Sequence, residues 1–456
     1  MRRLALAIAL LAGNGWGLAS ARPVVGITVF PKPVNMAPDV REALTFYAPL
    51  VSNLLAFGAG NATPTYTGGV VTGAGAVYYA DSPSGSGLLV ATVSGVPVFT
   101  PNGCQALGAV NNALLWSSGF TAAGTWTLQR LNAGSDGAVV APDGTSSTVY
   151  VMVQDGTAAS THFYYQNYTS TDAKAQSLSV YAKAGANTWL GVMVTDRLSG
   201  GVIGYYNLST GVVGAAVVAT GSASHWWGSA SIVNAGGGWY RCILVTGTPT
   251  GTAKRVALVL AEGDGDITFS GDNSSSLFIW GASVADNMTF QYSGVLVNGA
   301  VVSSRSADVT TFPQAGNIPT TAGGPITVRV TYTAPTSAAF SPFSIGTQNA
   351  NGARLYGATT SMGFLIYNVT FLGASSIATP ASAAMGLAGA ADASGVQVAW
   401  NGILGPTTSG LGAYAVPASS GIRPCGQSGE FSVTRNAAAF CVRLIGNDLA
   451  KVSQQP

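Results

Sequence analysis

The groups able to do chemistry are few: 17 acidic residues, two histidines and four cysteines in 456 residues. The densest carboxylate cluster is Glu262-Gly263-Asp264-Gly265-Asp266. Glycoside hydrolysis needs two carboxyl groups about 5 to 10 Å apart. The plainest reading of this cluster is instead a hydrated β-turn, which Asp-Gly favours. Carboxylates and turn carbonyls are also the hard ligands that calcium takes, so Asp264 and Asp266 are candidate ligands, although the EF-hand spacing is absent. With only His162 and His225, a Ser-His-Asp triad has hardly any candidates, and neither a G-x-S-x-G nor a Walker-type loop occurs. No C-x-x-C pair exists, which speaks against structural zinc. Cys104 and Cys242 sit beside aromatic residues as small buried hydrophobes. Cys425 and Cys441 flank a glycine-containing turn and form a candidate disulfide in an oxidising compartment. No enzyme activity and no cofactor is expected.

Binding chemistry is better supplied. Sugars present apolar ring faces and many hydroxyls, and proteins meet them with flat, rigid aromatic side chains beside Asn, Gln, Asp or Ser. Two clusters fit this description. Ser224-His225-Trp226-Trp227-Gly228 sets adjacent aromatics among small residues, and His162-Phe163-Tyr164-Tyr165-Gln166-Asn167-Tyr168 is the second. Candidate sugar-binding residues are therefore Trp226, Trp227, His225, Tyr164, Tyr165 and Tyr168. Neighbours on a strand face opposite ways, so one of Trp226 and Trp227 enters a core and the other is available to a ligand. Trp239 and Trp280 lie in the most apolar strands and are expected in the core.

The elements that would position these groups are β-strands. Charged residues make up 8% of the chain, against roughly 25% in an average soluble domain. Sixty glycines punctuate short β-branched and aromatic runs, the signature of a mainly β protein. Leu178, Val180 and Ala182 alternate with Ser179, Tyr181 and Lys183, giving one face to a core. Pro142-Asp143-Gly144 and the Gly236-Gly237-Gly238 run mark turns. A net charge of +2 offers no stripe for a polyanion, so nucleic acid is not an expected partner. After the N-terminus no run of 18 apolar residues is uninterrupted, which argues against spanning helices. The irregular turn spacing does not favour a transmembrane barrel. Six Asn-x-Ser/Thr sequons occur at the frequency such a composition gives by chance.

Two segments carry a family resemblance. GGGWYRCILV (Gly236 to Val245) and FSGDNSSSLFIWGASV (Phe269 to Val284) resemble the "GWYR … YSGDGTSGIYIWGAQ" signature of bacteriophage virion fibre and head-spike proteins. NATPTYTGGVV … YYADSPSGSGLL … GVPVF (Asn61 to Phe99) is similar to the leader of the same proteins, departing at Gly68-Gly69 where arginine and a small residue are usual. ALGAVNNALLWSSGF (Ala106 to Phe120) is similar to their "RTNLLLYSEDF". YSGVLVNGAVVSSRSAD (Tyr292 to Asp308) resembles their linker. The resemblance covers about residues 61 to 308. More loosely, Trp400-Asn401-Gly402 resembles the "Y-V-N-G" hairpin of laminin-G/concanavalin-like sandwiches, and FCVRLIGNDLAK (Phe440 to Lys451) their last strand and helical tail.

The fold expected is all-β, with tandem β-sandwiches after an irregular N-terminal segment. Residues 1–21 form a signal-peptide-like or anchor segment, 22–100 an irregular leader with one short helix near Val40 to Phe57, and 101–290 a jelly roll similar to carbohydrate-binding modules. Residues 291–324 form a linker, and 325–456 a laminin-G/concanavalin-like sandwich. The resemblance implies a phage or prophage virion protein, a head spike or tail fibre, that adheres without catalysis to a bacterial surface polysaccharide and contacts other virion components. A homo-oligomer follows by analogy, with no coiled-coil heptad to enforce it. Met1-Arg2-Arg3, the apolar Leu4 to Gly13 and Ala19-Ser20-Ala21 also read as a signal peptide cleaved before Arg22. Export, a buried anchor, or a true start at Met36 would each account for that. The rival functions are an exported bacterial polysaccharide-binding protein and a glycan depolymerase.

Overall fold

The computed structural model of the protein describes residues 109–286 with short interruptions and, in shorter stretches, residues 44–106 and 295–453. The fold is all-β: apart from helical residues 449, 450 and 453, the regular elements among the described residues are strands. The 1–21 segment lies outside the described residues. Among the described residues no helix is long and apolar enough to cross a membrane.

The central sandwich has two six-stranded antiparallel sheets. Its strands are β1 (Thr127–Gln129), β2 (Leu131–Ser135), β3 (Tyr150–Gln154), β4 (Phe163–Thr169), β5 (Gln176–Ala184) and β6 (Trp189–Thr195), followed by β7 (Gly201–Asn207), β8 (Val212–Thr220), β9 (Trp227–Gly236), β10 (Trp239–Thr246), β11 (Ala253–Ala261) and β12 (Ser276–Asp286). The front sheet runs β1-β4-β11-β6-β7-β8 and the back sheet β2-β3-β12-β5-β10-β9. Period-two alternation sends Leu178, Val180 and Ala182 of β5 inward, as the sequence pattern requires, against Leu190, Val192, Val256, Leu258 and Tyr206 of the front sheet. One end of this core is aromatic: the rings of Tyr150 and Tyr164 stack at 4.7 Å and 9°, and Phe120 meets Trp126 edge-on at 4.7 Å. Each fully buried side chain of this size contributes roughly 1.5 to 3 kcal/mol.

The turns follow their residues. Gly236, Gly237 and Gly238 all have positive φ between β9 and β10, a conformation glycine adopts without a Cβ clash. In the Pro142-Asp143-Gly144 turn the Asp143 carboxylate accepts from both the amide and the hydroxyl of Thr145. Asn401 and Gly402, both at positive φ, close a two-residue hairpin in which Trp400 pairs with Ile403, the geometry that Asn-Gly favours.

The second sandwich is assembled from both ends of the chain. Ile326–Thr333, Met385–Asp392 and Gly395–Trp400 are neighbours in one sheet; Phe340–Gly346, Asn351–Gly357, Ser361–Asn368 and Thr370–Ala378 are neighbours in the other. The sheets pack so closely at Gly389 that a Cβ there would meet the Phe364 ring at 2.3 Å. The C-terminal strand Ser432–Phe440 pairs on one side with Ile326–Thr333 and on the other with Leu44–Ala48 and Gly103–Ala106. Thr65–Thr67 likewise joins Val309–Pro313. The 22–100 segment, read from the sequence as an irregular leader, thus supplies strands to this sandwich. Where a helix was expected near Val40 to Phe57, Leu44–Ala48 is a strand, because Thr45, Phe46 and Tyr47 suit a pleated surface and an edge is waiting for them. The 291–324 segment, read as a linker, contains Val295–Val297, whose Leu296 and Val297 are buried. The central sandwich is therefore inserted into the chain of the second.

Cysteine pairing departs from the sequence expectation. Cys104 is disulfide-bonded and Cys242 is a free, buried thiol. Cys425 and Cys441 lie outside the described residues. Cys104, read from the sequence as a small buried hydrophobe, is thus corrected to a bonded cysteine. It stands opposite Thr434 in the second sandwich. Burial in apolar surroundings pushes the Cys242 thiol far up and keeps it inert.

Candidate glycan-binding face

Adjacent residues of β4 divide between two environments. Tyr164 and Tyr168 are 4% and 5% exposed and point between the sheets. The Tyr164 hydroxyl donates to the Phe120 carbonyl at 3.0 Å, and that of Tyr168 to Gln176 Oε1 at 2.6 Å. Burial raises both phenols well above their ordinary value. These two are corrected from candidate sugar contacts to core residues, since their rings and hydroxyls are already occupied. Tyr165 points the other way, onto the outer face of the front sheet, and remains partly exposed. His225 and Trp226 lie outside the described residues. Trp227 opens β9, with its backbone paired to Thr246; its side chain is likewise outside them.

The outer face of the front sheet holds more than Tyr165. Register places Phe163, Val259, Gly191 and Tyr205 in one row across β4, β11, β6 and β7. Tyr165, Ala257, Met193 and Ile203 form the next row, and Asn167, Arg255, Thr195 and Gly201 the one after. Trp189 stands opposite Ala261 beyond the Phe163 row. Phe163, Tyr165, Trp189 and Met193 are partly exposed around a buried floor of Ala257, Val259 and Ala261. Strands lie about 4.8 Å apart, so the backbones that carry the two aromatic walls of this shallow trough are about 10 Å apart, and its floor is closed to solvent. Its length, from Arg255 to Ala261, is about 20 Å at the strand rise. The rings of Phe163 and Tyr165 are 5.6 Å apart and tilted by 38°.

The two ends of the trough differ in charge. At one, the Arg255 guanidinium carbon lies 4.2 Å from the Tyr165 ring centroid, and Nε donates to Asn167 Oδ1 at 3.0 Å. At the other, the Glu262–Asp266 segment leaves β11 as a tight turn, with Glu262 N donating to the Asp266 carbonyl and Gly265 at positive φ. The Asp264 carboxylate accepts from the Ala215 amide at 2.6 Å and so fastens this turn to β8. Beneath it the Tyr205 hydroxyl is buried with no hydrogen-bond partner among the described residues. Burial, then the charges of Asp264 and Asp266, raise its pKa. Among the described residues no group of three or more His, Cys, Asp or Glu side chains is gathered to hold a metal ion.

Phe163, Trp189 and Arg255 were not among the residues singled out from sequence. Trp189 opens an ordinary-looking strand, and Arg255 is distant in sequence from Tyr165. Alternation of Phe163 with Tyr165, both on the same strand face, was the available signal for the first.

No family model and no curated protein matches the sequence. Among solved structures, the chain is similar to the CBM40 domain of the Ruminococcus gnavus IT-sialidase, at 15% identity over 29% of this chain and 84% of that one, with a TM-score of 0.25. A leech intramolecular trans-sialidase complexed with 2,7-anhydro-Neu5Ac matches at 15% identity over 29% of this chain and 24% of its own, with a TM-score of 0.23. Domains LG4-5 of the mouse laminin alpha1 chain match at 10% identity over 62% and 84%, with a TM-score of 0.20.

Proposed function

We propose that the outer face of the front sheet binds a glycan without transforming it, and that the protein is a phage or prophage virion component using this face to adhere to a bacterial surface polysaccharide. The observation that carries the glycan reading is the shallow trough: three partly exposed aromatic rings around a buried apolar floor. Such rings offer rigid area to sugar ring faces at low entropic cost. The virion assignment rests on the resemblance of Gly236–Val245 and Phe269–Val284 to fibre signatures. Non-catalytic action fits the use of Asp264 as a turn fastener. Repeated copies on a particle would multiply a weak single-site affinity by roughly 10² to 10⁴.

The test is retention of the purified full chain on immobilised host-surface polysaccharides, with release of shortened products scored in parallel. Retention that falls at least tenfold in Trp189→Ala, with no products released, supports the reading. Release of products would replace adhesion with depolymerisation.

An exported polysaccharide-binding protein is the second reading, and the bonded Cys104 favours it, because disulfides persist in oxidising compartments. Mass spectrometry of the native protein decides between them: a chain beginning at Arg22 supports export, and its presence in purified particles supports the virion.

A further inference from the structure

Building on the glycan reading, we infer that the trough recognises an acidic sugar, with Arg255 receiving the carboxylate. Arg255 is the one cation in the three outward rows described above. Its stem is fixed twice over by β4, through the Tyr165 ring beneath the guanidinium and through Nε on Asn167. Among the described residues neither Nη of Arg255 is seen with a hydrogen-bond partner, and its contacts are those with Tyr165 and Asn167. A guanidinium stacked on an aromatic ring and held by one nitrogen is pre-organised, and its planar fork matches a carboxylate bidentately.

Position makes the group a recognition element. Arg255 ends the row next to Tyr165 and Met193, so a pyranose lying on Met193 beside the Tyr165 edge brings a ring substituent within reach of it. The acidic turn at Glu262–Asp266 lies about 20 Å away along the trough. It repels an anion from that end and so fixes the direction in which an acidic chain lies. The ligand chemistry is a carboxylate on a sugar ring, supplied by a uronic acid or by a sialic acid.

The experiment titrates the intact protein, by calorimetry or ligand-observed NMR, with two matched pairs: oligogalacturonate against its methyl ester, and sialyllactose against lactose. Tighter binding of one acid than of its uncharged counterpart, by at least tenfold, identifies the source of the carboxylate. Arg255→Gln should reduce that acid to the level of its counterpart. Arg255→Lys, which keeps the charge but loses the fork, should recover part of the preference. Asn167→Ala, which frees Nε without changing charge, should weaken the acid several-fold and guards against misfolding of the arginine variants. If counterparts bind alike and respond to Trp189→Ala, the acidic inference falls while the glycan reading stands. If neither acid binds at tens of millimolar, the inference is overturned. If neutral polysaccharides are also not retained, the glycan reading falls with it.

Discussion

The two sheets of the central sandwich each carry a second apolar cluster on the face turned away from the core, and the two clusters are finished differently. On the back sheet, Tyr181, Trp239 and Trp280 lie under Ala141, Val149 and Leu296. The Trp239 indole donates to the Val140 carbonyl at 2.9 Å, and both tryptophans are at most 2% exposed. On the front sheet, Ile267 packs against the corresponding cluster and Ile203 and Tyr205 are buried, but Phe163, Tyr165 and Trp189 stay partly exposed. Aromatic strands alone do not distinguish a sealed face from an open one. The covering residues come from segments 139–149 and 295–297, far from the strands they cover.

If the back cluster is structural and the front one available for binding, truncations should separate stability from binding. The largest effect is expected at the sealed face: Trp239→Ala should cost about 3 to 5 kcal/mol in denaturant unfolding and leave the sugar preference of the surviving folded fraction unchanged. Trp189→Ala should cost clearly less stability while removing retention on glycan. Equal losses of stability at the two positions would erase the distinction.

Leu296→Ala, which thins the strap, should cost about 2 to 4 kcal/mol and increase hydrogen exchange in β12 without affecting the front face. A smaller contrast lies within one strand. Tyr164→Phe removes the hydroxyl that serves the Phe120 carbonyl, at about 1 kcal/mol, whereas Tyr165→Phe should leave the unfolding midpoint unchanged. A cost at Tyr165 matching that at Tyr164 would mean the outer hydroxyl is structural.

The smallest effect is electrostatic. Partial desolvation alone would raise the Asp155 carboxyl, but hydrogen bonds from Thr157 and the charge of the neighbouring His162 outweigh it and hold the pKa below its ordinary value. A depressed carboxylate stabilises the fold above its unfolded pKa, about 4, and that contribution is lost as pH falls through the folded value. Asp155→Asn should therefore be slightly less stable than the parent at pH 7, with the gap closing in acid. A gap that persists unchanged at low pH would assign the effect to packing.

Much of the local structure was legible. Leu178, Val180 and Ala182 declare their inward face by alternation alone, and Asn401-Gly402 declares its hairpin because few residues accept two successive positive φ angles. Trp239 and Trp280 were expected in the core and are buried, though beneath the strap instead of between the sheets. The tyrosines show the limit of this approach. Alternation requires Tyr164 and Tyr165 to face opposite ways, but not which of them faces inward, since that depends on which face of β4 meets the back sheet.

The sequence by itself determined the all-β class, the turn positions and the alternating strand faces. Those properties depend on residues within a few positions of one another, through φ preference, side-chain period and burial. Only the tertiary structure decided that strands near Leu44 and Cys104 complete a sheet with Ser432–Phe440 and that Arg255 rests on Tyr165. Each of those joins residues far apart in the chain, and such contacts are chosen by the competition of whole faces for burial, which no local pattern encodes.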